Sequence, residues 1–371
     1  MFGYNDQRPI TGTTSPIFVP REANPQPVRP GKDYFFMQFY SGQASFTGPI
    51  WQKAKQLIVS TQINMNHPAF GGDSLRAIQR ARAVKKDSAE QLGLSPNLIK
   101  LVPATMPAVS VSIDFLLDIE NRLGQMAGLI NSDSFLSAIS LAPGAALVAR
   151  AVGGLSQKVL QTFIPAEEQR PILQFSGDFN LVSGGLQEGY YVILGSNDEN
   201  NPLPDPLPKL EVKDAALLAD GERITGLSYI VLLVRRTEAR TRDLNDGAAW
   251  EPKLREAEDK AQFAAGDLAT PEEKDAVWAE CRKILRDAQA LLAADPNYLR
   301  DEAEAIIGAS LKTCADRVGK KTRMDAKPVW SPPIADIEGM GIRFENLPAR
   351  LNAYAEQVAE SREVLRHAGL V

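Results

Sequence analysis

A chain of 371 residues that is 44% hydrophobic, 23% charged and 7% aromatic has room for two or three domains and a large core, which excludes wholesale disorder. Net charge is −5 and there are two cysteines, Cys281 and Cys314; a disulfide framework would need more, so a reducing cytoplasm with two buried thiols is expected. No basic segment followed by an apolar one opens the chain, so a signal peptide is not expected. The charge-free apolar run 134–149 is shorter than the ~20 residues of a spanning helix and carries Pro143-Gly144, which argues against a transmembrane segment.

The charge is unevenly divided. Residues 1–165 hold 15 Lys+Arg against 10 Asp+Glu, a balance of +5, and residues 166–371 hold the remaining 26 against 36, a balance of −10. A basic front and an acidic rear attract each other, within one molecule or between neighbours stacked head to tail.

Residues 1–33 contain six prolines, Pro9, Pro16, Pro20, Pro25, Pro27 and Pro30. Proline fixes φ and removes a donor, so the segment reads as an extended arm. Such an arm is normally mobile unless tied down, and a neighbouring subunit is the expected tether.

Six strands follow from runs of aromatic and β-branched residues or from period-two alternation: Tyr34–Tyr40, Gln56–Asn64, Ala108–Phe115, Pro171–Phe175, Tyr190–Leu194 and Leu227–Val234, with a seventh near Leu210–Val212. Two helices are expected among them. Asp73 caps one that runs to Leu92 and ends at Gly93. The other runs from Gly144 to Phe163, where Leu147, Ala151, Leu155, Val159 and Phe163 recur every four residues.

From Trp250 the pattern turns helical. Trp250, Leu254, Ala257, Ala261 and Ala264 repeat at three-four spacing. Thr270-Pro-Glu-Glu273 is a capping box whose helix continues through Trp278, Cys281, Leu285, Ala288 and Leu292. Asp295-Pro296 is expected to cap the next, which carries Ile306, Ile307 and Leu311. After a Pro/Gly-rich connector (Trp330–Pro333, Gly339, Gly341), Asn346 and Pro348 open a last helix. Its near-heptad seam is Leu347, Leu351, Tyr354, Val358, Ser361 and Leu365, a stripe suited to meeting a partner.

Catalytic chemistry is hard to assemble from this inventory. The two histidines, His67 and His367, have no companion at metal-ligand spacing. Gly-x-Ser-x-Gly and Gly-x-Gly-x-x-Gly are absent, and Gly153-Gly-Leu-Ser-Gln-Lys158 has the wrong spacing for a phosphate cradle. Carboxylates remain: Asp114, Asp118 and Glu120 on a strand-like segment, and Asp198, Glu199 and Asp205 in the loop that begins Gly195-Ser-Asn-Asp-Glu-Asn-Asn201. Either group could share a proton or hold a hard cation such as calcium.

Basic residues gather twice, as Arg76, Arg80, Arg82, Lys85 and Lys86 on one expected helix and as Arg235, Arg236, Arg240 and Arg242 after a strand. Nucleic-acid binding would want stacking aromatics and a basic domain, and the sequence pI is about 5.4, so the pattern points away from it. Segment 134–163, an apolar run that breaks and resumes as an amphipathic stripe, reads as a core helix or as a stretch able to enter a bilayer interface.

The expectation is an α+β protein. It has a Pro-rich arm (1–33), a sandwich-like β-rich region with inserted helices (34–249) and an all-helical region (250–371). It is expected to be a non-enzymatic structural or adaptor subunit of a cytoplasmic assembly, with protein partners or self-association, no cofactor and no small-molecule substrate. Two alternatives stand beside it: a lipid-binding or pore-forming effector using 134–163 at a membrane surface, and a carboxylate-based metal enzyme.

Overall fold

A computed structural model describes residues 11–12, 15–45, 56–65, 75–83, 90–91, 97–118, 170–182, 185–196, 203, 205, 207–240, 247–264, 270–319, 336, 338–341 and 347–370. The chain mixes α and β. It divides into a sheet unit (Met1–Pro30 and Phe35–Arg236) and a helical unit (Gly31–Tyr34 and Thr237–Val371).

The sheet unit contains fourteen strands among the described residues: β1 (Thr11–Gly12), β2 (Ile17–Val19), β3 (Tyr34–Ala44), β4 (Gln56–Met65), β5 (Leu75–Ala83), β6 (Glu90–Gln91), β7 (Asn97–Pro103), β8 (Ala108–Asp118), β9 (Arg170–Asn180), β10 (Gly189–Ser196), β11 (Leu210–Lys213), β12 (Ala216–Ala219), β13 (Glu222–Arg223) and β14 (Ser228–Thr237). They form three sheets. The largest follows β1-β10-β14-β3-β6, with β2 on β10 and β7 on β3; the second follows β5-β4-β8-β9; the third is β11-β12-β13. The registered pairs are antiparallel.

Every strand expected from the sequence is present, because each was long, aromatic or β-branched, and able to bury at least one face. One buried cluster draws Phe35, Met37 and Phe39 from β3, Ile193 from β10 and Ile230 from β14 together with Val59, Val111, Ile113 and Phe175 of the four-stranded sheet. A second cluster lies between the large sheet and the small one, where Val192, Leu194, Tyr229 and Val231 meet Leu210 and Leu217. β3, β10 and β14 therefore bury both faces, which explains why they read as continuous apolar runs while β8 alternates. The small sheet is closed by two-residue turns: Asp214-Ala215 at φ 48° and 57°, and Asp220-Gly221 at φ 50° and 87°. Positive φ at both central residues matches the right-handed twist of a hairpin.

Three expectations need correction here. Residues 75–83 are the strand β5, not part of a helix from Asp73 to Leu92, so Arg76, Arg80 and Arg82 lie on a strand paired to β4. Ala, Arg and Gln favour helix locally, but the backbone pairing offered by β4 overrides a weak propensity. The described part of the Pro-rich arm is already tied down within its own chain, so no neighbour is needed to hold it. β1 and β2 pair with β10, Pro27 bridges Gln187, and the Val28 N–H donates to the Leu186 carbonyl at 2.9 Å. Edge pairing suits a proline-rich strand because only half of its donors are needed.

The helical unit holds α1 (Glu251–Phe263), α2 (Pro271–Ala293), α3 (Arg300–Val318) and α4 (Leu347–His367). The Thr270 capping box is formed: its hydroxyl accepts from Glu273 N at 3.2 Å and the Glu273 carboxylate accepts from Thr270 N at 2.7 Å, a motif that contributes about 1 kcal/mol. Leu254, Ala257 and Ala261 of α1, Trp278, Cys281 and Leu285 of α2, and Ile306, Leu311 and Cys314 of α3 share one core. The third correction concerns Asp295, which does not cap α3. Leu299 holds the N-cap position without a side-chain bond, while Asp295 accepts from the Trp250 indole N–H at 3.1 Å and from Asn297 N at 3.0 Å. The α4 seam is also largely occupied: Leu351 and Tyr354 pack against the helical core, and Ser361 and Leu365 are buried.

Candidate functional site

The densest polar site among the described residues is centred on Glu302, in the first turn of α3. Its helical stripe, Glu302, Ile306, Ser310 and Cys314, is buried throughout, so α3 carries a carboxylate at a position where its neighbours are core. Glu302 is 5% exposed, and a buried carboxylate is tolerated only when its lone pairs are filled. Both oxygens accept from the Arg240 backbone N–H, at 3.0 and 3.2 Å, and Oε1 also accepts from the Tyr354 hydroxyl at 3.2 Å. The Tyr34 hydroxyl donates to the same carboxylate while accepting from Leu299 N at 2.6 Å. Three separate stretches of chain therefore converge on one side chain.

An aromatic wall closes this centre. The Arg240 guanidinium lies 5.7 Å above the Tyr298 ring, and Tyr298 meets Trp250 edge-on with centroids 5.3 Å apart. Burial pushes the Glu302 carboxyl above the usual carboxylate range, against the opposing pull of hydrogen bonds from Tyr34, Arg240 and Tyr354. Burial, reinforced by the Glu302 charge, raises Tyr34 well above an ordinary phenol. Tyr298 is pushed up to about 12, again chiefly by burial. The chemistry this arrangement supports is the holding of a proton and the fastening of chain segments.

A second polar group belongs to the sheet unit, in a notch bounded by Arg21, Glu22, Pro25, Gln26, Glu188 and Arg235. Glu188 Oε1 accepts from Arg235 Nε at 3.3 Å and from Arg236 N at 3.2 Å, and its backbone N–H donates to the Gln26 carbonyl at 2.9 Å. Burial, followed by the nearby Arg21 charge, lowers Arg235. Glu188 thus ties the arm to the end of β14.

A third feature is open to solvent. On the outer face of β8 and β9, Ser110 donates to Asp178 at 2.5 Å, Ser112 and Ser176 share a hydrogen bond at 2.9 Å, and Gln174 reaches Asp114 at 3.5 Å. These are directly opposed cross-strand pairs, so short polar side chains form three pre-paired rungs.

The residues singled out from sequence are dispersed. Asp114 belongs to the rungs, and Asp205 is exposed. No group of three or more His, Cys, Asp or Glu residues suited to a metal ion occurs among the described residues. His367 is exposed, with a ring nitrogen 2.8 Å from the Glu363 carbonyl. Of the basic cluster at the end of β14 and beyond it, Arg235 and Arg236 engage Glu188 and Arg240 engages the Glu302 centre. His67, Lys85, Lys86, Glu120, segment 134–163 with Gly153–Lys158, Asp198, Glu199, Arg242 and the connector 330–333 lie outside the described residues, as does the side chain of Asp118.

Sequence reasoning missed Glu302, Tyr34 and Tyr298. One signal was available: Glu302 stands four residues before Ile306, on the apolar stripe and not opposite it. No protein-family model matches this chain, and no curated protein does. No helix among the described residues is long and apolar enough to cross a membrane.

Proposed function

We propose that the protein is a non-enzymatic structural or adaptor subunit of a protein assembly. The observation that supports this reading is the use made of its polar groups. Glu302, Glu188 and Asp295 each bind chain segments together, whereas Ser110, Ser112, Asp114, Gln174, Ser176 and Asp178 form a pre-paired ladder that faces solvent. Short side chains already held in pairs lose little rotamer freedom when covered, which favours a docking face. The opposite charges of the two halves of the chain add a steering component. The arm and the α4 seam no longer add weight, since both are engaged within one chain.

The expected result is an assembly larger than one 40.5 kDa chain by multi-angle light scattering at micromolar concentration, shrinking as salt screens the charge pairing. A strict monomer at every salt concentration overturns the proposal.

One observation favours a membrane-acting reading as the alternative. β4, β5, β8 and β9 are 10, 9, 11 and 11 residues long, close to the ~9–11 residues of a bilayer-spanning strand. In β8, buried Val109, Val111, Ile113 and Phe115 alternate with Ser110, Ser112 and Asp114. This reading expects leakage of anionic liposomes, abolished by Leu147→Asp or Val159→Asp in variants shown to be folded. Absence of leakage at every protein concentration removes it.

A further inference from the structure

The notch beside Glu188 holds more positive charge than fastening the arm requires. The arm leaves β10 after Val19, which pairs with Tyr190, and returns at Gln26, whose carbonyl accepts from Glu188 N at 2.9 Å. The stretch between supplies Arg21, Glu22 and Pro25 to the notch, and the end of β14 supplies Arg235. Two guanidinium groups from distant parts of the sequence thus border one concavity within the sheet unit.

The charges here do not balance. Arg21, Arg235 and Arg236 stand against two carboxylates, Glu22 and Glu188. Glu188 divides its two oxygens, Oε1 lying 3.3 Å from Arg235 Nε and Oε2 lying 3.6 Å from Arg236 Nε. The Arg235 side chain is only 16% exposed, and an enclosed cation is costly unless its charge is fully answered. Its contact with Glu188 is made through Nε, so the terminal Nη groups stand outside that hydrogen bond.

We propose that this notch binds a phosphate group, held between the guanidinium groups of Arg21 and Arg235. The planar fork of arginine matches phosphate oxygens and gives short, charge-assisted hydrogen bonds. A tetrahedral group presents oxygens in several directions, so it bridges two forks that arrive on separate stretches of chain. A planar carboxylate matches one fork at a time. Pro20 and Pro25 flank the stretch that carries Arg21, and their fixed φ limits the freedom that a ligand would otherwise have to remove. The phosphate is either free in solution or part of a lipid headgroup.

The test titrates the full chain with inorganic phosphate by calorimetry, against chloride at the same ionic strength. In parallel, the chain is floated with phosphatidylcholine vesicles with and without phosphatidic acid. The expected result is saturable binding of one probe or both, weakened about tenfold by Arg21→Gln. Glu22→Gln removes a negative charge from the rim and should tighten it. Arg21 and Glu22 are both exposed, so neither substitution disturbs the core. Phosphate binding without flotation assigns the site to a soluble phosphate. Flotation that depends on phosphatidic acid and is weakened in Arg21→Gln assigns it to a lipid headgroup. Failure of both probes to bind, or binding that Arg21→Gln leaves unchanged, overturns the proposal.

Discussion

Glu302→Ala should lower the stability of the helical unit by about 3 kcal/mol in urea unfolding. The carboxylate accepts from Arg240 N, from Tyr354 and from Tyr34, so alanine strands three enclosed donors at once and leaves a gap among them. Glu302→Gln keeps an acceptor of similar shape and should lose about half as much. The sign of the pH dependence follows from the direction in which burial moves this group. Because the folded-state carboxyl titrates above its unfolded value, its favourable contribution is complete below the unfolded pKa of about 4.3 and is lost as pH rises through the folded value. The advantage of wild type over Glu302→Gln should therefore narrow between about pH 4 and neutrality. A loss under about 0.5 kcal/mol for alanine, or an advantage that widens with pH, would refute this account of the site.

Trp250→Ala should cost about 4 kcal/mol by the same measurement. Trp250 is 1% exposed, fills the junction before α1, packs edge-on against Tyr298 and donates to Asp295 at the end of α2. Truncation removes a large aromatic surface and takes away the donor to Asp295 Oδ2, while Asn297 still donates to Oδ1. Asp295→Ala isolates the polar part and should cost about 1–2 kcal/mol. If the two substitutions are equally damaging, the packing argument fails and the indole hydrogen bond dominates.

The strands that could be read from sequence were those whose composition settles the matter without partners: Tyr34–Tyr40 and Leu227–Val234 are apolar on both faces, and Ala108–Phe115 alternates. The capping box at Thr270 was legible for the same reason, since all its atoms lie within four residues. What failed depended on distant chain. β5 became a strand because β4 supplied a partner about twenty residues away. Asp295 was drawn from the cap of α3 by Trp250, 45 positions earlier. The polar centre was the least legible part, because nothing local to Tyr34 signals that its hydroxyl will meet Glu302. Arg240 was noticed for its charge, but it contributes a backbone N–H to Glu302 as well as its guanidinium.

Tyr34 opens β3, yet it belongs to the helical unit, where its hydroxyl accepts from Leu299 across 265 positions of sequence. During synthesis that tyrosine leaves the ribosome far ahead of its receptor. At 5–20 residues per second the wait is roughly 10–50 s. The sheet can pair its early strands in that interval, but the helical unit cannot be completed until α3 has emerged. Closing a contact of such high sequence separation is slow, so the seating of Tyr34 should be a late event in maturation. A chain released before α3 emerges would leave the Tyr34 hydroxyl without its Leu299 donor and its Glu302 acceptor.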